Sequence, residues 1–347
     1  MTQPSPAATE TVFQAAAPSL AAAAVLALLR SDYGLAAPRV RPLPSERDQN
    51  LLVDDGTRGL VLKISNFRED PAVIELELAA LAHLAQVDPA LPVPRLVRAR
   101  DGASTTAITD GQGQVHMVRL ITLLPGRALE GRPVDAALAE TVGGAAARTC
   151  LALQGFFHPA AGRALDWDVR RLGEVITRVP QDGLRSTLQG VVDRVTPALL
   201  ATAALPGGAQ HGDVTLTNVL TDDTGRLTGI VDLGDVHHTA AVCDLAATLT
   251  SVLRNTAPAQ TTELWALAAA VLRGYQRHRP LTPGEADVLG ELVIARLALT
   301  LAVSATRAPA HPGNTDYITQ YDDSTARVLE VMSALDPADL RARFRPV

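Results

Sequence analysis

Residues 211–235 read HGDVTLTNVLTDDTGRLTGIVDLGD, and the side chains suited to chemistry there are Asp213 after a His211-Gly212 pair, Asn218, and Asp232 in Asp232-Leu233-Gly234-Asp235. A carboxylate such as Asp213 can accept or orient the proton of an attacking hydroxyl, and an Asn with an Asp can hold Mg²⁺ on nucleotide phosphates. Mg²⁺ takes hard oxygen ligands, usually one or two carboxylates completed by waters and phosphate oxygens. Asn218 and Asp232 suit that demand. The plainer reading of an Asp in a turn is a solvated turn residue, which is what Asp222-Asp223-Thr224-Gly225 is expected to be. For the others, Val219-Leu220 and Gly229-Ile230-Val231 read as short strands around a turn at Gly225. Such a hairpin brings Asn218 and Asp232 together at its open end.

Lys63 is the single lysine among 31 basic residues. Lysine is a compact point charge on a thin stem, whereas arginine is a wide planar fork, so one lysine among arginines points to a task that the fork does not fit. Lys63 lies in Leu60-Val61-Leu62-Lys63-Ile64, and strand alternation sets it on the face of Val61, opposite Leu60, Leu62 and Ile64. Kinase folds carry a phosphate-binding lysine on such a strand, paired to a glutamate on the next helix; the competing reading is a surface lysine on an edge strand. A helix is expected over 70–86, with Pro71 suited to its first turn and Leu76, Ala80, Leu81 and Leu84 apolar. It offers Glu75 and Glu77 on different faces. Glu77 is the expected partner of Lys63 and Glu75 the reserve.

Other chemistries are disfavoured. Lys63 is followed by Ile64, so the Gly-Lys-Ser/Thr of a P-loop is absent, and no G-x-G-x-x-G separates a strand from a helix. Cys150 and Cys243 have neither metal-ligand nor disulfide spacing. His237 and His238 are adjacent, so their side chains diverge, and a zinc centre is not expected. A length of 347 residues suits two lobes with cores of their own. The net charge of −6 disfavours nucleic acid or an anionic membrane as the main partner. Leu20–Leu29 is too short to span a bilayer, and the first ten residues lack the basic start of a signal peptide. A cytoplasmic protein with reduced thiols, monomeric or homodimeric, is expected.

Along the chain, residues 1–10 read as a disordered tail and 11–30 as an alanine-rich helix. Strands are expected at 39–43, 51–53, 60–64, 95–99 and 115–124. From residue 135 the pattern is helical: 135–156, 168–179, 183–204, 240–256, 260–278, 282–307 and 323–334, interrupted by the hairpin region 209–235. The expected fold class is α+β, with a small β-rich N-lobe over 11–120, a hinge at 121–126 and a large mainly helical C-lobe over 127–347. Lys63 would come from the first lobe, and Asp213, Asn218 and Asp232 from the second.

H-G-D-x-x-x-x-N followed by I-V-D-L-G-D resembles the aminoglycoside phosphotransferase and choline-kinase-like superfamily, whose members have a protein-kinase-like two-lobed fold. Ser45-Glu46-Arg47-Asp48-Gln49-Asn50, Leu62-Lys63-Ile64-Ser65-Asn66, Leu91-Pro92-Val93-Pro94-Arg95, Leu123-Leu124-Pro125-Gly126, Gly155-Phe156-Phe157-His158-Pro159 and Trp167-Asp168 extend the resemblance, and the Ser45–Asn50 and Phe157–Pro159 segments narrow it. They look like the hydroxylysine-kinase branch and the kinase domain of bacterial kinase–aminotransferase fusions. The resemblance implies ATP and Mg²⁺ as cofactors and Asp213 as catalytic base. Asn218 and Asp232 would be metal ligands, with Lys63 on the nucleotide phosphates and Glu77 as its partner. It further implies a phosphate-covering loop at Ser45–Asn50, a hinge beside adenine at 121–124 including Ile121 and Leu123, and bracing of the catalytic loop by His211 and Asp244.

The acceptor is expected in the helical lobe. Asp235, Trp167, Asp168, Arg296, Tyr275 and Tyr317 are candidates, with core packing the competing reading for the aromatics. An ammonium wants an acidic or aromatic lining, and a carboxylate suits the arginine fork. Arg296 stands in the apolar run 292–299, where a charge is either functional or on the wet side of the helix. The leading expectation is a kinase transferring the γ-phosphoryl group of ATP to a hydroxyl of an amino-bearing metabolite, a 5-hydroxylysine-like amino acid or an amino alcohol. The alternatives are an aminoglycoside or peptide-antibiotic phosphotransferase conferring resistance, and a nucleotide-binding pseudokinase or scaffold. The complete set of Lys63, Asp213, Asn218 and Asp232 argues against the last.

Overall fold

A computed structural model describes residues 17–45, 47–256 and 261–345, so the expected tail over 1–10, the first part of the expected N-terminal helix and Glu46 lie outside the described residues. The chain divides into two compact units, one ending at Pro125 and the other beginning at Gly126.

The described residues of the first unit form an antiparallel sheet with two helices. Helix α1 (Ala22–Ser31) precedes strands β1 (Arg39–Leu43), β2 (Gln49–Asp54) and β3 (Gly59–Ile64). Helix α2 (Pro71–Val87), β4 (Leu96–Val97), β5 (Thr106–Thr109) and β6 (Val115–Thr122) follow. The strand order is β1-β2-β3-β6-β4, with β5 also on β6. Alternation does what the sequence predicts: Leu60, Leu62 and Ile64 are buried on one face with Leu51, Val53 and Leu120, beneath Val25, Leu28 and Leu29 of α1. Lys63 therefore stands on the opposite face, in register with Asn50 of β2 and Arg119 of β6. Asp70 caps α2 by accepting from Ala72 N at 2.9 Å, with Pro71 next in the first turn.

Three expectations need correction here. The first helix begins at Ala22. Leu20 is held outside it by Gln49, whose side chain accepts from Leu20 N at 2.8 Å and donates to Leu20 O at 3.1 Å. The strand expected over 95–99 shrinks to Leu96–Val97, because Ala99 N turns to Ala103 O at 3.0 Å. Strand β5 was not expected. It closes a hairpin onto β6 through Asp110, whose carboxylate accepts from Gln112 N and Gln114 N.

The second unit is helical: α3 (Ala136–Ala152), α4 (Asp182–Ala201), α5 (Ala241–Thr256), α6 (Thr261–Gln276), α7 (Pro283–Arg307), α8 (Asp322–Ser333) and α9 (Pro337–Phe344), with a short turn at Thr315–Thr319. Helix α7 begins with a capping box between Thr282 and Glu285. It is long and apolar enough to cross a membrane, but 78% of its most apolar window is buried inside the unit, as in a core helix. Helices α3 and α6 approach so closely that a methyl at Gly143 would meet the Val271 carbonyl and one at Gly274 the Glu140 carbonyl. The helix expected over 168–179 is broken into the 3₁₀ turn Val169–Arg171, the single α turn Leu172–Val175 and the 3₁₀ turn Ile176–Arg178. Gly173 and five β-branched residues between 168 and 179 give that stretch poor helix propensity. Two small strand groups carry the motif region. The hairpin β9 (Val219–Thr221) and β10 (Leu227–Ile230) is joined by β7 (Arg127–Ala128), and β8 (Gly207–Gln210) pairs with β11 (His237–Ala240).

Candidate active site

The loop between β8 and β9 is tied down at nearly every residue. Gly212 has φ of +83°, and a Cβ there would come within 2.5 Å of the Asp235 carbonyl oxygen, so glycine lets the 211–213 and 232–235 segments touch. His211 is fully buried; its Nδ1 accepts from Asp213 N at 3.3 Å and its Nε2 donates to Val231 O at 3.2 Å. One face of α5 holds the loop from behind. Asp244 accepts from Gly212 N at 2.8 Å, Thr248 Oγ1 donates to Val214 O at 2.9 Å, and Ser251 Oγ accepts from Leu216 N at 3.0 Å. The spacing 244, 248, 251 is that of one helix face. His211 and Asp244 thus brace the loop. Thr248 and Ser251 share that work and were not foreseen.

Asn218 Nδ2 donates to the Asp213 main-chain oxygen at 3.0 Å and to Asp213 Oδ2 at 2.7 Å. Val231 N donates to Asn218 O at 2.9 Å, which sets the residue before Asp232 beside Asn218, as the hairpin predicts. Asp232 itself is exposed, at φ 63° and ψ 73°, the one non-glycine residue with positive φ among the described residues. Aspartate tolerates this left-handed conformation better than most residues, and such strain concentrates at functional sites. The Asp213 carboxyl is pushed up to about 7 by burial and then by the negative charge of Asp235, with Asp232 adding to it; Arg296 and Arg254 pull it back.

In the first unit, Lys63 Nζ lies 3.0 Å from Glu77 Oε1, and Glu77 is buried while Glu75 is exposed. The other Glu77 oxygen accepts from Arg119 at 2.7 Å, and Arg119 also donates to Ser65 Oγ at 2.5 Å and lies 3.6 Å from Asp48. Glu77 is buried, yet the charges of Arg119 and Lys63 outweigh that burial and hold its carboxyl below the usual range. Arg119 went unforeseen; a charge inside the apolar run 117–121 was the available signal. Ser45 Oγ accepts from Asp48 N at 3.3 Å. Asn50 Oδ1 is buried without a hydrogen-bond partner on the row of Lys63, and Ile121 is buried while Leu123 is exposed.

The acceptor candidates separate. Tyr275 is 1% exposed, sealed in the core with Arg279 donating to its hydroxyl at 3.2 Å, so it is a packing residue. Asp168 is buried and engaged by Arg170, including 2.6 Å to Nη2, while it caps the turn at Arg170 N; it is structural as well. Tyr317 is exposed. Arg296 stays with the site, 4.0 Å from Asp213, over the Trp167 ring and donating to the Trp167 carbonyl. Asp235 is half-buried beside Asp213. Arg254, which the sequence did not single out, also acts on Asp213. Among the described residues, no cluster of three or more His, Cys, Asp or Glu side chains could hold a metal.

Asp213, Asn218 and Asp232 thus lie together along one loop and hairpin of a mainly helical unit that follows a β-rich one in the chain. Residues 39–281 match the model of the phosphotransferase enzyme family, and the chain belongs to that family. It is similar to the hydroxylysine kinase of Bos taurus, 26% identical over 87% of this chain and 86% of that protein. Among solved structures it shares its fold with a microcompartment-associated aminopropanol kinase at TM-score 0.71 and 19% identity, covering 92% of this chain and 99% of the other. An amicoumacin kinase in complex with AMP-PNP and Ca²⁺ superposes at TM-score 0.69 and 16% identity, covering 96% of this chain and 99% of the other.

Proposed function

We propose that the protein is an ATP-dependent kinase that phosphorylates a hydroxyl of a small amino-bearing metabolite, a 5-hydroxylysine-like amino acid or an amino alcohol. The observation that carries this reading is the Asp213–Asn218 pair with Asp232 held beside it. The Asp213 carboxylate accepts the hydrogen of the acceptor hydroxyl and aims its oxygen at the phosphoryl group. Asn218 fixes Asp213 through Oδ2. With its amide nitrogen spent on Asp213, Asn218 presents Oδ1, a hard oxygen, as does the exposed carboxylate of Asp232. That donor set fits Mg²⁺, which would neutralise charge on the nucleotide phosphates. Lys63, steadied by Glu77, is assigned to the phosphates, Ser45–Asn50 to their cover, and Ile121 and Leu123 to the adenine side. A reaction that draws on ATP suits the cytoplasm.

The likeness to a hydroxylysine kinase supports an amino acid acceptor, and the shared fold of an amicoumacin kinase keeps an antibiotic acceptor as the second reading. Two arginines acting on Asp213 disfavour a polycationic aminoglycoside. The test is ADP release with Mg·ATP on 5-hydroxylysine, homoserine, ethanolamine, choline and several aminoglycosides, with Asp213→Asn as control. Turnover on an amino acid or amino alcohol, lost by roughly 10²- to 10⁴-fold in the variant, is expected. Turnover on an antibiotic alone, or equal turnover by the variant, overturns the reading.

A further inference from the structure

The second unit places more positive charge near Asp213 than the chemistry above uses. Arg296, on α7, has its side chain 11% exposed and its Nη2 4.0 Å from Asp213 Oδ1, at the outer limit of an ion pair. Its guanidinium sits 5.5 Å from the centroid of the Trp167 ring. Arg254, on α5, makes no hydrogen bond and no ion pair among the described residues, and its guanidinium lies 4.7 Å from the Tyr321 ring centroid. Burial, followed by the like charge of Arg296, holds Arg254 below the usual arginine range.

Asp213 and Glu130 act on Arg254 through their charge, but among the described residues no acid lies within ion-pair distance of it. Asp213 is reserved for the acceptor hydroxyl, and Asp322 accepts from Ser304 Oγ at 2.8 Å. Two largely buried cations that repel one another are costly unless an anion joins them. The arginine fork matches a carboxylate with two parallel hydrogen bonds, and it does so best where water is excluded.

We infer that Arg254 and Arg296 form a carboxylate subsite beside Asp213, so that the acceptor is a hydroxylated amino acid with a free carboxylate and not an amino alcohol. This rests on the kinase reading above and narrows it. A phosphate oxygen of the nucleotide has the same anionic chemistry, and the experiment separates the two.

Binding is measured by calorimetry in the presence of AMP-PNP and Mg²⁺, using two matched pairs. These are L-homoserine against 3-aminopropan-1-ol, and 5-hydroxylysine against 1,5-diaminopentan-2-ol, each amine being its amino acid without the carboxylate. Arg254→Gln and the charge-keeping Arg254→Lys are compared with the parent, with unfolding curves as a check on folding. The expected result is that at least one amino acid binds roughly 10- to 100-fold tighter than its amine, the loss typical when charge-assisted hydrogen bonds are removed. That ratio collapses toward one in Arg254→Gln and is partly kept in Arg254→Lys. Amines that bind as well as the acids, or no binding of either pair, overturn the inference. So does an Arg254→Gln variant that weakens AMP-PNP while leaving the ratio intact, which would give the arginines to the nucleotide. The kinase reading fails separately, by absence of ADP release on every hydroxyl acceptor.

Discussion

The Asn218 amide nitrogen donates twice to Asp213, to the main-chain oxygen at 3.0 Å and to carboxylate Oδ2 at 2.7 Å. One side chain therefore fixes the orientation of the proposed base and offers its remaining oxygen to a cation. Asn218→Asp replaces the donor with a second carboxylate facing the first. We expect kcat to fall by about 10²-fold or more. Asn218→Ala should raise the Mg²⁺ concentration for half-maximal rate by roughly 10- to 100-fold. A Mg²⁺ titration of initial rates reads both, and an unchanged Mg²⁺ requirement in Asn218→Ala would remove Asn218 from the metal site.

Protonation of Asp213 couples to stability. With its carboxyl pushed up to about 7 from an ordinary 3.8, the folded chain keeps a proton that the unfolded chain has already released between those values. The contribution is full at low pH and is lost as pH rises through that window. In urea unfolding without nucleotide or Mg²⁺, Asp213→Asn should gain stability relative to the parent at pH 8 and not at pH 4. Parallel pH profiles of the two proteins would contradict this.

Glu77 is shared by Lys63 and Arg119. Removing it takes the shared carboxylate from two largely buried cations, and the 3.6 Å Arg119–Asp48 pair offsets only part of that, so Glu77→Ala should cost about 3 kcal/mol. Lys63→Met leaves Glu77 still paired with Arg119 and should cost about 1 kcal/mol, while nucleotide affinity drops. Equal destabilisation by the two variants, measured in the same denaturant titration, would show that Arg119 does not hold Glu77 on its own.

Gly212 and Gly56 both have positive φ, at +83° and +90°, but only Gly212 faces a backbone oxygen at 2.5 Å, whereas Gly56 faces open space. Both alanine variants carry backbone strain of about 1–3 kcal/mol. Gly212→Ala should in addition push the 232–235 segment away and lose most activity. Paired melting and rate measurements check this; an active Gly212→Ala protein would mean that the loops need not touch.

The chemistry legible in the sequence was chemistry that is local along the chain. Asp213, Asn218 and Asp232 fall on one hairpin whose turn, at Gly225, is itself written in the residues, so their geometry needs no distant partner. Lys63 was placed by alternation alone. The choice between Glu75 and Glu77 stayed open because both lie early in α2, and only the sheet against which the helix rests decides which one is buried. Arg119 and Arg254 could not be reached in this way, since each acts on a residue that other elements bring to it. Tyr275 and Asp168 were drawn toward the acceptor by residue type, yet core packing and a turn cap claim them. Strands β8 and β11, with sequences GGAQ and HHTA, lack the β-branched alternation that announces a strand, and pairing across the fold makes them.

The lone lysine has an experimental use of its own. An amine-reactive reagent has one side-chain target on this molecule, Lys63, and its ammonium is ion-paired to Glu77 with only 12% of the side chain exposed. Mass spectrometry of the peptide that contains residue 63 would then follow acylation at a defined side chain, separate from that of the terminal amine. Whatever covers or releases that ammonium changes the labelling rate, so the protein carries its own built-in reporter of occupancy.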